Sequence, residues 1–161
     1  NDAEEALELI RSHAVDWHVD SRKVAACGFS AGGHLAAALG TMGRVRPNAL
    51  ILAYPCILDS ISPILPWPVP SLEKKVDSAT PPAFIFATSQ DSLVPVEHSL
   101  EFASALNRQG IPFEMHIFQE GVHGLSLAKG MTANAQAKMI DRQAAQWVTL
   151  CRGWLERVFG K

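Results

Sequence analysis

The stretch Cys27–Gly40, "CGFSAGGHLAAALG", sets one serine within Gly28-Phe29-Ser30-Ala31-Gly32 and then runs into an alanine-rich segment. Before it, Lys23 or Val24 to about Phe29 is small and apolar, as expected of a short strand buried on both faces. After it, Ala31 to about Met42 reads as a helix. A serine at such a junction requires a very sharp chain reversal, in which side chains at Gly28 or Gly32 would collide with their neighbours and the hydroxyl is lifted above the sheet. Glycine at both positions is therefore expected to be a steric requirement. The plain alternative is a Gly-rich turn that binds an anion or nothing.

Working outward, the strand-and-helix pattern repeats. "ALILAYPCI", Ala49–Ile57, predicts a second buried strand stopped by Pro55. Residues 58–82 hold most of the prolines, including "SPILPWPVP", and predict a long excursion without regular helix or central strand. "PAFIFATS", Pro82–Ser89, predicts a third buried strand; "VEHSLEFASALNRQG" a helix with Pro95 near its start and Gly110 just past its end; "PFEMHIF", Pro112–Phe118, a fourth strand. Amphipathic helices are expected at both ends. The first carries Ala3, Ala6, Leu7, Ile10, Ala14 and Trp17, and the last a stripe of Ile140, Ala144, Trp147, Cys151, Trp154 and Val158. Strands alternating with helices predict an α/β domain over residues 1–161, with about four parallel strands and flanking helices. Sites in such folds gather at the carboxyl ends of the strands.

Composition narrows the function classes. With 14 basic and 16 acidic residues among 161, and no long run of like charge, no nucleic-acid or membrane-surface patch is indicated. No apolar run approaches the roughly 18 to 20 residues of a membrane span. Cys27, Cys56 and Cys151 are widely spaced and lack the close Cys/His pairing of a zinc site, so they are expected to be buried thiols, with no metal.

A serine nucleophile needs a base, itself oriented by a carboxylate. Among the histidines, His13 and His18 precede the sheet, His34 sits on the same helix as Ser30, His98 belongs to a later helix and His116 lies within a strand. His123, in "QEGVHGLSL", alone follows a strand end in a loop. Asp91, in "FATSQDSLVP", emerges after the third strand at the same edge. Asp59 is the alternative acid, and Glu120 is less well placed. The order Ser, Asp, His is that of the α/β-hydrolase triad. Val94 and Leu125 follow the acid and base closely enough to touch an acyl group. Trp67 is read either as part of a cap over the cleft or as a surface-loop residue, and Trp147 and Trp154 as core.

On these residues, "GFSAGGHLA", "LILAYP" and "PPAFIFATSQDSLVPVEHSLEFASALNRQGIPFEMHIFQEGVHGLSL", the chain resembles the C-terminal part of α/β-hydrolase esterases, in particular the bacterial acetyl-esterase or acetylxylan-esterase-like branch. The resemblance implies Ser30 as nucleophile, Asp91 as orienting acid and His123 as base. It further implies hydrolysis of small carboxylic esters, acetyl or short-chain and including acetylated sugars, with no cofactor.

The backbone N–H of Ala31 is one expected oxyanion donor. The second usually comes from an earlier Gly-rich loop, which does not precede Ser30 here. The chain opens on Asn1, almost directly inside a helix, and reads as a piece whose upstream strands are not included. A cytoplasmic location is the default, with any export signal expected before Asn1. Two further expectations follow: an exposed sheet edge through which copies associate, and weak activity of this segment alone. Competing readings are a peptidase or amidase on the same scaffold, and a non-catalytic hydrolase-like binding domain. Dienelactone-hydrolase-like chemistry would call for cysteine at the elbow, and Cys27 stands three residues too early.

Overall fold

Four short apolar runs, each too short for a stable helix and joined by segments long enough to cross over, build one parallel sheet. A computed structural model describes residues 2–64 and 67–160; Leu65 and Pro66 of the Pro-rich excursion, with Asn1 and Lys161, lie outside the described residues. The elements are α1 (Asp2–Ser12), β1 (Ala25–Phe29), α2 (Ala31–Met42), β2 (Ala49–Ala53), β3 (Ala83–Thr88), α3 (Glu97–Arg108), β4 (Phe113–Phe118) and α4 (Trp147–Phe159). Short 3-10 turns break up the excursion at Asp59–Ile64 and Leu72–Lys75, and the approach to α4 at Gly130–Thr132, Ala137–Met139 and Ala144–Gln146. No helix among the described residues is long and apolar enough to cross a membrane.

The strands pair in chain order, β1-β2-β3-β4, all parallel, in the register Phe29↔Ala53, Ala53↔Phe86 and Phe86↔His116. Alternation along β2 divides the core. Leu50 and Leu52 face α2 and α3, packing with Ala36, Ala37, Phe102 and Leu106; Ala49, Ile51 and Ala53 face α4, with Trp147, Cys151 and Trp154. Right-handed crossovers put α2 and α3 on one face, so the other face is left for the apolar side of α4.

Several expectations are corrected. β1 is not buried on both faces: as an edge strand with one hydrogen-bonded neighbour among the described residues it leaves Cys27 and Phe29 exposed, so Cys27 is not a buried thiol, whereas Cys56 and Cys151 are. β2 ends at Ala53 rather than Ile57, since Tyr54 turns into the left-handed region at φ 37°. The last helix begins only at Trp147; Ile140 lies outside it and is 49% exposed. α1 stops at Ser12, which leaves Trp17 exposed and stacked on His13. Trp67 is exposed.

Candidate active site

Ser30 sits in the one-residue joint between β1 and α2 at φ 54° and ψ −120°, a conformation that side-chain-bearing residues adopt only when their surroundings enforce it. The enforcement comes from the backbone. The Ser30 N–H donates to the Ala53 carbonyl at 3.0 Å, and its carbonyl accepts from the Cys56 N–H at 3.0 Å and the His34 N–H at 3.2 Å. A Cβ at Gly28 would stand 2.1 Å from the Gly32 carbonyl oxygen, and one at Gly33 2.7 Å from the Pro55 ring. A Cβ at Gly32 would meet nothing within 4 Å. The steric requirement thus falls on Gly28 and Gly33, and the expectation for Gly32 is corrected: its Cα faces outward, not into the turn.

Three strand ends bring the candidate residues together. Ser30 Oγ lies 2.7 Å from His123 Nε2, and His123 Nδ1 lies 2.7 Å from Asp91 Oδ2. With Nδ1–H donating to the carboxylate, Nε2 is left with its lone pair toward the serine hydroxyl. The Asp91 side chain is almost wholly buried. Its other oxygen, Oδ1, accepts from the N–H groups of Leu93 at 3.0 Å and Val94 at 2.9 Å. Burial alone would raise this carboxyl, but the hydrogen bonds from His123, Val94 and Leu93 outweigh it and hold Asp91 below its ordinary value. Asp91 is thus a charged acceptor aimed at the imidazole.

The other candidates take different places. Asp59 lies in the excursion, where its carboxylate is 3.8 Å from Lys74 Nζ, and Glu120 lines a polar pocket with Gln119, Asp141 and Arg142. Ala31 is the first residue of α2, where a backbone N–H has no intrahelical acceptor. Val94 is buried with Cys56 and Ile61, and Leu125 is wholly buried with Ala128 and Ala144, so neither side chain presents open surface to a ligand. His34 Nδ1 lies 3.1 Å from the Cys56 carbonyl. His98, nearly all buried, accepts at Nδ1 from the N–H groups of Ile57 at 2.8 Å and Leu58 at 3.0 Å; burial pushes its pKa down, as suits a neutral structural imidazole.

Sequence reasoning missed the residues that hold the His123 loop. Thr88 Oγ1 donates to the Gly121 carbonyl at 2.8 Å, and Ser89 Oγ to that of Gln119 at 2.8 Å. Tyr54 Oη accepts from the Ser126 N–H at 3.0 Å, and Trp147 Nε1 donates to the Ser126 carbonyl at 2.8 Å. The one signal available for Tyr54 was its place directly after β2, at the edge where Ser30 emerges.

Residues 2–149 match the dienelactone hydrolase family. The chain belongs to that family. Among curated relatives it is 36% identical to endo-1,4-beta-xylanase B of Butyrivibrio fibrisolvens, over 79% of this chain and 24% of the relative. It is 31% identical to an acetylxylan esterase of Xylanibacter ruminicola, over 76% of this chain and 30% of the relative. Among solved structures it superposes with a TM-score of 0.92 on MGS-M1, an α/β hydrolase enzyme from a Medee basin deep-sea metagenome library, at 41% identity, covering 99% of this chain and 64% of that one. The chain therefore spans about a quarter to a third of these curated relatives and under two thirds of this solved structure. An α/β-hydrolase fold present in part is what the sequence resemblance implied. Membership in the dienelactone hydrolase family describes kinship of sequence and fold: the elbow of this chain carries Ser30, and Cys27 lies upstream on an exposed strand.

Proposed function

We propose that this chain carries the nucleophile, base and orienting acid of a serine hydrolase acting on small carboxylic esters, acetyl and short-chain esters including acetylated sugars. The observation that carries the reading is the continuous hydrogen-bonded chain Ser30–His123–Asp91, with both links at 2.7 Å and a buried carboxylate at its end. Kinship with the dienelactone hydrolase family and likeness to an acetylxylan esterase support ester hydrolysis and the choice of an acetyl group.

In this mechanism Ser30 Oγ attacks the ester carbonyl carbon while its proton passes to His123 Nε2. The imidazolium so formed is stabilised by Asp91 through Nδ1–H. The carbonyl oxygen becomes an oxyanion, to which the Ala31 N–H donates. Collapse breaks the ester C–O bond: the alcohol leaves with the proton from Nε2, and the acyl group stays on Ser30. Water, deprotonated by His123, then attacks the acyl-serine; the carboxylic acid leaves and the Ser30 hydroxyl is restored. We assign the second oxyanion donor to sequence outside these 161 residues, since the chain spans only 64% of the solved structure it resembles.

Replacing Ser30 with alanine in the full-length protein is expected to abolish hydrolysis of p-nitrophenyl acetate and labelling by a fluorophosphonate. Labelling that persists in this variant would overturn the assignment. For the second donor, turnover of the 161-residue chain is expected to fall about 10²- to 10³-fold below that of the full-length protein. Equal turnover would place both donors within this chain.

A further inference from the structure

The loop that carries His123 follows a backbone course that its side-chain-bearing residues do not favour. Gly121, Gly124, Ser126 and Ala128 all have positive φ, at 134°, 85°, 51° and 53°. For the two that bear side chains this conformation costs on the order of 1 kcal/mol or more each, so other parts of the molecule must compensate.

Ser126, three residues past the base, is fixed from both sides. Its N–H belongs to the peptide plane before its Cα and donates to Tyr54 Oη at 3.0 Å; its carbonyl belongs to the plane after and accepts from Trp147 Nε1 at 2.8 Å. Orienting both planes sets φ and ψ of Ser126, and with them the direction in which the chain leaves His123. Both clamps are rigid. Tyr54 and Trp147 are each 5% exposed, and both pack on Phe86 of β3: Tyr54 edge-to-face at 5.4 Å, Trp147 stacked at 4.6 Å. The Tyr54 ring also stands edge-on to the His123 imidazole, centroids 5.1 Å apart.

We infer that Tyr54 and Trp147 are positioning residues for His123, acting through the two peptide groups of Ser126 to keep Nε2 within reach of the Ser30 hydroxyl. The inference rests on the proposed role of His123 as base. Misplacement of a reacting group by about 1 Å can cost on the order of 10²-fold in rate, so a hydroxyl that acts only through a peptide group of the His123 loop can govern turnover.

The test is Tyr54→Phe, which keeps the ring and removes the acceptor for the Ser126 N–H. In the full-length protein, kcat on p-nitrophenyl acetate is expected to fall about 10- to 100-fold, with KM within about twofold. The fluorophosphonate labelling rate is expected to fall in parallel, and the downfield proton resonance of the His123–Asp91 hydrogen bond to broaden. Trp147→Phe is expected to do the same, and the double variant to be little worse than the poorer single one, because both bonds serve one residue. An unchanged kcat with an unchanged downfield proton in Tyr54→Phe would overturn the inference, as would strictly additive losses. The proton resonance needs no turnover: a wild-type protein that hydrolyses no ester defeats the esterase reading, while the positioning role is still judged by that signal.

Discussion

The two halves of the candidate site are built by different means. The Ser30 elbow is held by backbone: bonds to Ala53, Cys56 and His34, and close approaches at Gly28 and Gly33 that leave no room for a side chain. The His123 loop is held by side chains from elsewhere: Thr88 and Ser89 at its entrance, Asp91 on the imidazole, Tyr54 and Trp147 on Ser126. A backbone-held element admits no side chain where backbones approach closely, as at Gly28 and Gly33, whatever side chains its partners carry. A side-chain-held element depends on particular side chains of other segments, each of which can be replaced singly.

That contrast can be broken or sharpened by substitution. The largest effect is expected from Asp91→Asn, which keeps the shape of the His123 fastening but offers N–H where the imidazole needs an acceptor. The Nε2–H tautomer is then favoured and kcat falls on the order of 10⁴-fold, with an unfolding midpoint near that of wild type. A large loss of stability instead would mean that the acid holds the loop more than it orients the base.

Gly28→Ala is expected to act the opposite way, through the fold. Its Cβ would lie 2.1 Å from the Gly32 carbonyl oxygen, so the elbow must shift. We expect a loss of about 3 kcal/mol in urea unfolding, together with activity. Survival of this variant with full activity would show that the elbow is not backbone-locked.

A side-chain fastening far from the site offers a smaller effect. Arg46 donates to both oxygens of Asp77, at 2.5 and 2.9 Å, and lowers its pKa to about 2. Because the folded-state value is depressed, the contribution is full above the ordinary aspartate range and is lost as pH falls toward about 2. Asp77 is 49% exposed, so solvent screening leaves about 1 kcal/mol. The stability difference between wild type and Asp77→Asn should therefore be present at neutral pH and vanish in acid. A difference that persists in acid would rule out the ion pair as its source. The smallest effect is expected from Gly32→Ala: with open space around its Cβ it should cost nothing and gain up to about 1 kcal/mol of helix propensity, in direct contrast to Gly28→Ala.

The same contrast explains what was legible in the sequence. "ALILA" and "AFIFAT" announce buried central strands because burial on both faces leaves no polar position, and Ser30, Asp91 and His123 could be found by asking which chemistry-bearing residues follow a strand end. Cys27 is exposed where the sequence predicts burial, because an apolar run does not say how many neighbours its strand has. Gly32 faces open space where the sequence predicts a collision, because a motif gives the spacing of glycines but not the direction each Cα faces. α4 starts later than the apolar stripe predicts, since the 3-10 turn at Ala144–Gln146 keeps the spacing of a helical stripe without its geometry. Beyond the place of Tyr54 directly after β2, neither Tyr54 nor Trp147 carries a local signal as a clamp: the first meets Ser126 across 72 positions, and what pairs them is the sheet.

The strand order has a consequence for how the site comes into being. Among the described residues each strand after β1 pairs with the one before it in the chain, so a chain emerging from the ribosome can extend this part of the sheet at one edge without reopening a pair already made. In chain order Ser30 follows β1, Asp91 follows β3, His123 follows β4, and Trp147, which bonds Ser126, opens α4. On the proposed reading, a growing polypeptide gains its activated serine only after β4 and the His123 loop are in place.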